Sequence, residues 1–197
     1  MLEAKVYILV FDGFADWEPT YALAEIRRSG ELQVVSVGFS DKPVISMGGL
    51  RIVPDCALTD VNVKDVRLFI LPGGDMWEND YPTIELEQIL HKLEQSHVPI
   101  AAICGATLVL ARAGLLRNRK HTSNAKDYLT SFVPGYGNES DYIDKLAVRD
   151  QRIITASGVG AIEFAYEIFD QLGIFSDADR KVWFDLFKYG KFPQPIA

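Results

Sequence analysis

Apolar residues follow two rhythms along the chain. Short unbroken runs bounded by Gly, Pro or Asp alternate with longer stretches in which apolar positions recur every three to four residues. Val6 to Phe11 is such a run, the pattern of a strand buried on both faces of a parallel sheet. A turn at Asp12-Gly13-Phe14 follows. Asp16 is placed to cap a helix with Pro19 in its first turn, which continues through Tyr21, Leu23, Ala24, Ile26 and Arg27 and stops at Gly30. Leu32 to Val37 alternates as a second strand. Val44-Ile45-Ser46 and Leu50 to Val53 flank Met47-Gly48-Gly49 as a hairpin, which Pro54 ends. Arg67 to Leu71 predicts another buried strand, running into Pro72-Gly73-Gly74. Helical spacing resumes over Thr83 to Gln95, and Pro99 to Ile103 is a strand that runs directly into Cys104-Gly105-Ala106.

The second half continues the alternation. Thr107 to Ala113 predicts a helix closed by Gly114, His121 to Ser123 a short strand, and Asn124 to Phe132 a short helix before a loop at Gly135 to Asn138. Leu146 to Arg149 and Arg152 to Thr155 read as paired strands, Ala161 to Leu172 and Asp177 to Tyr189 as helices. Phe192 to Ala197 is expected to be a surface arm. Strands alternating with helices imply an α/β fold with a mostly parallel sheet covered on both faces. No repeat, low-complexity tract or linker divides the chain, so one domain is expected over residues 1–197.

Composition narrows the function classes. Of 197 residues, 48% are hydrophobic and 11% aromatic, too many for a disordered chain. The 20 basic residues against 27 acidic ones leave a net charge of -7, which argues against nucleic-acid and membrane-surface partners. No apolar run approaches the ~20 residues of a membrane helix, and the N-terminus carries neither a basic segment nor a cleavage site. Two cysteines far apart, Cys56 and Cys104, suggest free thiols and a cytoplasmic protein rather than a disulfide scaffold. No Cys/His spacing suggests zinc or another metal, and no cofactor is expected. His91 and His97 are expected to face solvent, and Cys56 to fill a gap in packing.

In open α/β sheets functional groups gather beyond the carboxyl ends of the strands. Four such ends carry unusual residues: Asp12 to Glu18, Pro72-Gly73-Gly74, Cys104-Gly105 and Ser157 to Gly160. Cys104 sits where a buried strand turns sharply into a helix among small residues, the setting of a nucleophile elbow or of a structural cysteine in a tight packing turn. The helix that follows would direct its N–H groups at the sulfur and favour thiolate. The amides of Gly73, Gly74 and Gly105 are candidates for an oxyanion pocket. Glu18 is either a first-turn acid or a proton acceptor for Cys104. Trp17 and Trp77, with Asp12, are candidates to line the pocket over Cys104.

The set Phe11-Asp12-Gly13-Phe14 with Glu18, Leu71 to Gly74, Ala102 to Gly105, and Thr155 to Gly158 resembles the ThiJ/PfpI family of the class I glutamine amidotransferase-like superfamily, in order, interval and element type. The resemblance implies a flavodoxin-like three-layer sandwich, commonly a homodimer, acting on a small-molecule substrate. It puts Cys104 on the nucleophile, Glu18 on the carboxylate that contacts its sulfur, and Gly73, Gly74 and Gly105 on the oxyanion backbone. Activities in such a family include amide and peptide hydrolysis, glyoxalase or deglycase chemistry, and oxidative-stress functions. Two positions depart from the pattern. Gly105 replaces the His that follows the nucleophile in peptidase-type members, and Asn124 stands where others carry His, with His121 three residues earlier. Losing that imidazole removes a proton carrier typically worth ~100 to 10,000-fold. The expectation is a cysteine-dependent enzyme for a small carbonyl or amide compound. The alternative is a non-catalytic redox sensor, or a binding module that has kept the fold.

Overall fold

The computed structural model describes residues 4–193. The elements are β1 Lys5–Val10, α1 Trp17–Ser29, β2 Gln33–Gly38, β3 Val44–Ile45, β4 Arg51–Ile52, β5 Cys56–Ala57, β6 Val66–Leu71, α2 Thr83–Gln95, β7 Ile100–Ile103, α3 Ala106–Arg112, α4 Lys126–Phe132, β8 Ala147–Asp150, β9 Ile153–Ala156, α5 Ala161–Leu172 and α6 Asp177–Tyr189. Seven strands form one sheet in the order β5-β2-β1-β6-β7-β9-β8, and β3 pairs with β4 as a separate hairpin. Every pairing in the large sheet is parallel except that of β8 with β9.

Successive strand residues point to opposite faces. Leu68, Phe69, Ile70 and Leu71 of β6 are all completely buried, as are Ile100 to Ile103 of β7, so both faces of the sheet are covered. Helices α1, α5 and α6 pack on one another, while α2 and α3 each pack against β7. This is the α/β sandwich that the alternation of elements predicts.

The sheet's order places the site. From β1 the chain adds β2 on one side, then returns to lay β6 on the other side of β1. The segments leaving β1 and β6 diverge there, opening a crevice at the carboxyl ends of the strands. The Ala15 amide bonds the Gly73 carbonyl at 2.9 Å across that crevice, joining the loop after β1 to the loop after β6.

Several local expectations are corrected. Asp16 does not cap α1 with its side chain. Its carboxylate instead bonds the Ser46 hydroxyl and the Gly48 amide, tying the β3–β4 hairpin to the start of α1. His121 to Ser123 is no strand but a single bridge from His121 to Tyr142, because the Thr122 amide bonds Thr155 Oγ1 at 2.9 Å rather than a ladder carbonyl. Cys56 is half-buried on the edge strand β5 rather than filling the core. Of the expected surface arm, residues 194–197 lie outside the described residues, as do residues 1–3 of the N-terminus.

Candidate active site

Cys104 follows β7 with φ 59°, in the left-handed region that a non-glycine residue enters at a cost of ~1–3 kcal/mol. Hydrogen bonds hold it there. Its amide bonds the Ala156 carbonyl of β9 at 2.9 Å, and its own carbonyl accepts from the Thr107 amide at 3.1 Å and the Thr107 hydroxyl at 2.7 Å. The sharp strand-to-helix turn places the half-buried side chain at the mouth of the crevice, as a nucleophile elbow does.

Glu18, in the first turn of α1, is 1% exposed. It accepts a hydrogen bond from the Gly73 amide at 2.6 Å and meets the Cys104 thiol. Removing the carboxyl from water outweighs both contacts and raises its pKa from 4.5 to about 7. Asn124 approaches the sulfur from another side, Nδ2 to Sγ 3.4 Å, while its Oδ1 accepts from the Gly158 amide at 2.9 Å.

The thiol differs from the thiolate expected at a helix N-terminus. Burial, then the adjacent Glu18 carboxylate, push Cys104 up to about 11, against the weaker opposing pull of Asn124 and the Gly105 amide. Helix α3 has only seven residues, too short a dipole to reverse that balance. The resting group is therefore a neutral thiol beside a carboxyl that titrates near neutrality.

The glycines around the sulfur are required by space. A Cβ on Gly73 would come within 2.6 Å of Cys104 Cβ and 2.7 Å of Glu18 Oε2, and one on Gly158 within 2.9 Å of Sγ. The Gly73 amide is committed to Glu18, so it is not free for an oxyanion. The Gly105 amide is directed at the sulfur.

Other predicted members lie elsewhere. Asp12 accepts from the Ile45 amide at 2.8 Å and anchors the hairpin. Trp77 is fully buried beneath the site, its indole donating to the Pro72 carbonyl at 2.8 Å and its ring edge-on to Phe11. Trp17 is half exposed on the first turn of α1, and the sulfur takes its partners from Glu18, Asn124 and the backbone instead. His121 is fully buried between the Arg119 carbonyl and the Tyr136 hydroxyl, which occupy both ring nitrogens. His91 and His97 are exposed on and after α2, so no imidazole reaches Cys104. Among the described residues no three His, Cys, Asp or Glu side chains converge as metal ligands.

Two site residues carried no sequence signal. Tyr128 of α4 brings its hydroxyl beside Gly105 and donates to Glu78 at 2.8 Å. Only the missing side chain at Gly105 could have hinted that something else fills that space.

The chain matches the DJ-1/PfpI family over residues 4–171. It belongs to that family. The Bacillus subtilis protein named "Uncharacterized protease YoaZ" is 38% identical, covering 97% of this chain and 94% of that one. The Caenorhabditis elegans glutathione-independent glyoxalase DJR-1.2 is 36% identical, over 75% of this chain and 77% of its own. A thiJ/pfpI family structure from Bacillus anthracis superposes with TM-score 0.88 at 36% identity, covering 95% of this chain and 91% of that one. As a DJ-1/PfpI chain it carries the cysteine elbow without a histidine beside it.

Proposed function

We propose that the protein is a cysteine-dependent enzyme acting on a small carbonyl compound through Cys104. The observation that carries this reading is the Glu18–Cys104 contact, in which a buried carboxyl titrating at about 7 faces a neutral thiol. A general base works best when its pKa lies near the working pH. As sulfur attacks the carbonyl carbon, the S–C bond forms, the C=O π bond opens onto oxygen, and the thiol proton passes to Glu18. The same proton then moves to the new alkoxide, beside the amides of Gly74 and Gly105.

Relatives carry the names protease, glyoxalase and deglycase. An amine leaving group needs a proton donor in a second position, and no imidazole stands there, which favours the carbonyl reading over amide hydrolysis. With a 2-oxoaldehyde, the hemithioacetal would pass a proton between neighbouring carbons through Glu18, and water would release a 2-hydroxy acid.

The test is conversion of a 2-oxoaldehyde to its 2-hydroxy acid, followed by proton NMR. Wild type forms product, Cys104→Ser falls to background, and Glu18→Gln loses ~100 to 10,000-fold. Full turnover by Cys104→Ser overturns the reading. A cytoplasmic location, where both free thiols stay reduced, and the homodimer implied by the family belong to the same proposal. The homodimer is checked by a solution mass of twice the 22.0 kDa chain.

A further inference from the structure

Asn124 stands against the sulfur in one orientation. Its Oδ1 accepts from the Gly158 amide at 2.9 Å, and its Nδ2 lies 3.4 Å from Cys104 Sγ. A backbone N–H can only donate, so the atom facing Gly158 is the oxygen and the atom facing sulfur is the nitrogen. The residues just before Asn124 are pinned one by one. The Thr122 amide bonds Thr155 Oγ1 at 2.9 Å, the Thr122 hydroxyl bonds the Lys145 carbonyl at 2.7 Å, and the Ser123 hydroxyl lies 2.6 Å from Thr107 Oγ1 in the first turn of α3. Thr107 in turn holds the Cys104 carbonyl at 2.7 Å, so Asn124 and the sulfur are anchored to the same elbow.

The groups around the sulfur differ in what they leave free. Glu18 is 1% exposed and divides its carboxyl between the Gly73 amide and the thiol, whereas Asn124 is exposed. Burial closes the Glu18 side, so a small molecule entering from solvent reaches the sulfur on the Asn124 side. The Asn124 amide carries two protons. One is directed at Sγ, and the second has no acceptor among the described residues. Because the Gly73 amide is held by Glu18, one expected oxyanion donor is withdrawn and a side chain must replace it. The oxygen on a carbon bonded to sulfur lies two bonds from Sγ, within reach of a donor that already touches Sγ.

We propose that Asn124 is a catalytic residue whose Nδ2 donates a hydrogen bond to the carbonyl oxygen that becomes negative as Cys104 attacks. The inference rests on the carbonyl reading above and supplies the donor that the Gly73 amide does not. In this step the S–C bond forms, the C=O π pair moves onto oxygen, and the thiol proton passes to Glu18 and then to that oxygen. Asn124 keeps both amide protons throughout. Its contact with a neutral thiol is weak, and its contact with a developing alkoxide is charge-assisted. The bond therefore stabilises the transition state more than the bound substrate, and the pinned backbone holds the donor in place beforehand.

The test compares two reactions of the same sulfur at one pH, in wild type, Asn124→Asp and Asn124→Ala. Alkylation by iodoacetamide expels iodide and forms no oxyanion, so it reports the supply of thiolate alone. Turnover of methylglyoxal, a 2-oxoaldehyde, passes through the oxyanion. Asn124→Asp keeps an acceptor for the Gly158 amide and loses the donor, which separates the missing hydrogen bond from a shift of that loop. The expected result is that kcat for methylglyoxal falls about 100-fold further than alkylation in both variants, the usual cost of one oxyanion donor, with KM little changed. Turnover that falls only in step with alkylation, an extra loss in Asn124→Ala alone, or a rise in KM at constant kcat overturns the role of Asn124 and leaves the carbonyl reading standing. No turnover by wild type brings down the carbonyl reading itself, and this inference with it.

Discussion

Replacing Glu18 with Gln should make the protein more stable and less active, and the gain should depend on pH in a defined direction. Glu18 is almost completely buried, and its pKa rises from 4.5 to about 7 because burial disfavours the charged form. The folded chain therefore holds this proton more tightly than the unfolded chain does. The resulting stability is fully present below pH 4.5 and is lost as the pH rises through about 7. At about 1.4 kcal/mol per tenfold in acidity, the carboxylate costs the fold about 3 kcal/mol above pH 7. Gln imitates the protonated acid and can still accept from the Gly73 amide, which now bonds Glu18 at 2.6 Å. Glu18→Gln should therefore match wild type near pH 4.5 and exceed it by about 3 kcal/mol at pH 8. That corresponds to roughly 6–12 °C in Tm for a chain of this length. Thermal unfolding of both proteins from pH 4.5 to 8.5 gives the comparison. A Tm difference that stays constant with pH, or a variant less stable than wild type at pH 8, refutes the assignment of a burial-strained carboxylate.

Three other perturbations separate the parts of the site. Gly158→Ala would place a Cβ 2.9 Å from the sulfur, and it should slow alkylation of Cys104 roughly 100-fold while the protein remains folded by circular dichroism. Asn124→Ala removes the Nδ2 contact that favours the thiolate, so the Cys104 alkylation profile should move to higher pH; a move to lower pH contradicts the contact's assigned sign. His121→Gln should leave that alkylation unchanged, since both His121 ring nitrogens are engaged away from the sulfur. Burial lowers the His121 pKa from 6.5, so the unfolded chain takes a proton that the folded chain resists and stability falls below pH 6.5. Urea titrations of both proteins at pH 7 and pH 5 should show wild type losing stability relative to His121→Gln as the pH falls, the Glu18 contribution being common to both.

Elements with strong periodicity were legible from the chain alone. Helices α2, α5 and α6 begin and end where apolar spacing and turn residues predicted, and the buried runs of β1, β6 and β7 are strands. Elements made by tertiary pairing were not. Strand β5 is two residues held against β2, and nothing local distinguishes it from a loop. Helix α4 starts at Lys126 rather than Asn124, because Ala125 is extended and the Asn124 side chain is drawn to Gly158 and Cys104. At the site, the elbow cysteine, Glu18 and the crowding glycines could be named in advance, since tight turns and strand ends leave marks in sequence. The protonation of Cys104 could not, because it is a sum of burial and neighbouring charge that exists only in the fold. Tyr128 and Glu78 read as ordinary surface positions on separate elements until the fold brings them together beside Gly105.

The most direct test of the proposed Glu18–Cys104 proton pair is the rate of iodoacetamide alkylation of Cys104 against pH, in wild type and in Glu18→Gln. Wild type should alkylate slowly through pH 9, with an apparent midpoint near the expected value of about 11. Glu18→Gln should shift that midpoint to lower pH by removing the carboxylate beside the sulfur. A wild-type midpoint at or below the ~8.5 of a free thiol, or a midpoint that Glu18→Gln leaves in place, would contradict the pairing of these two groups.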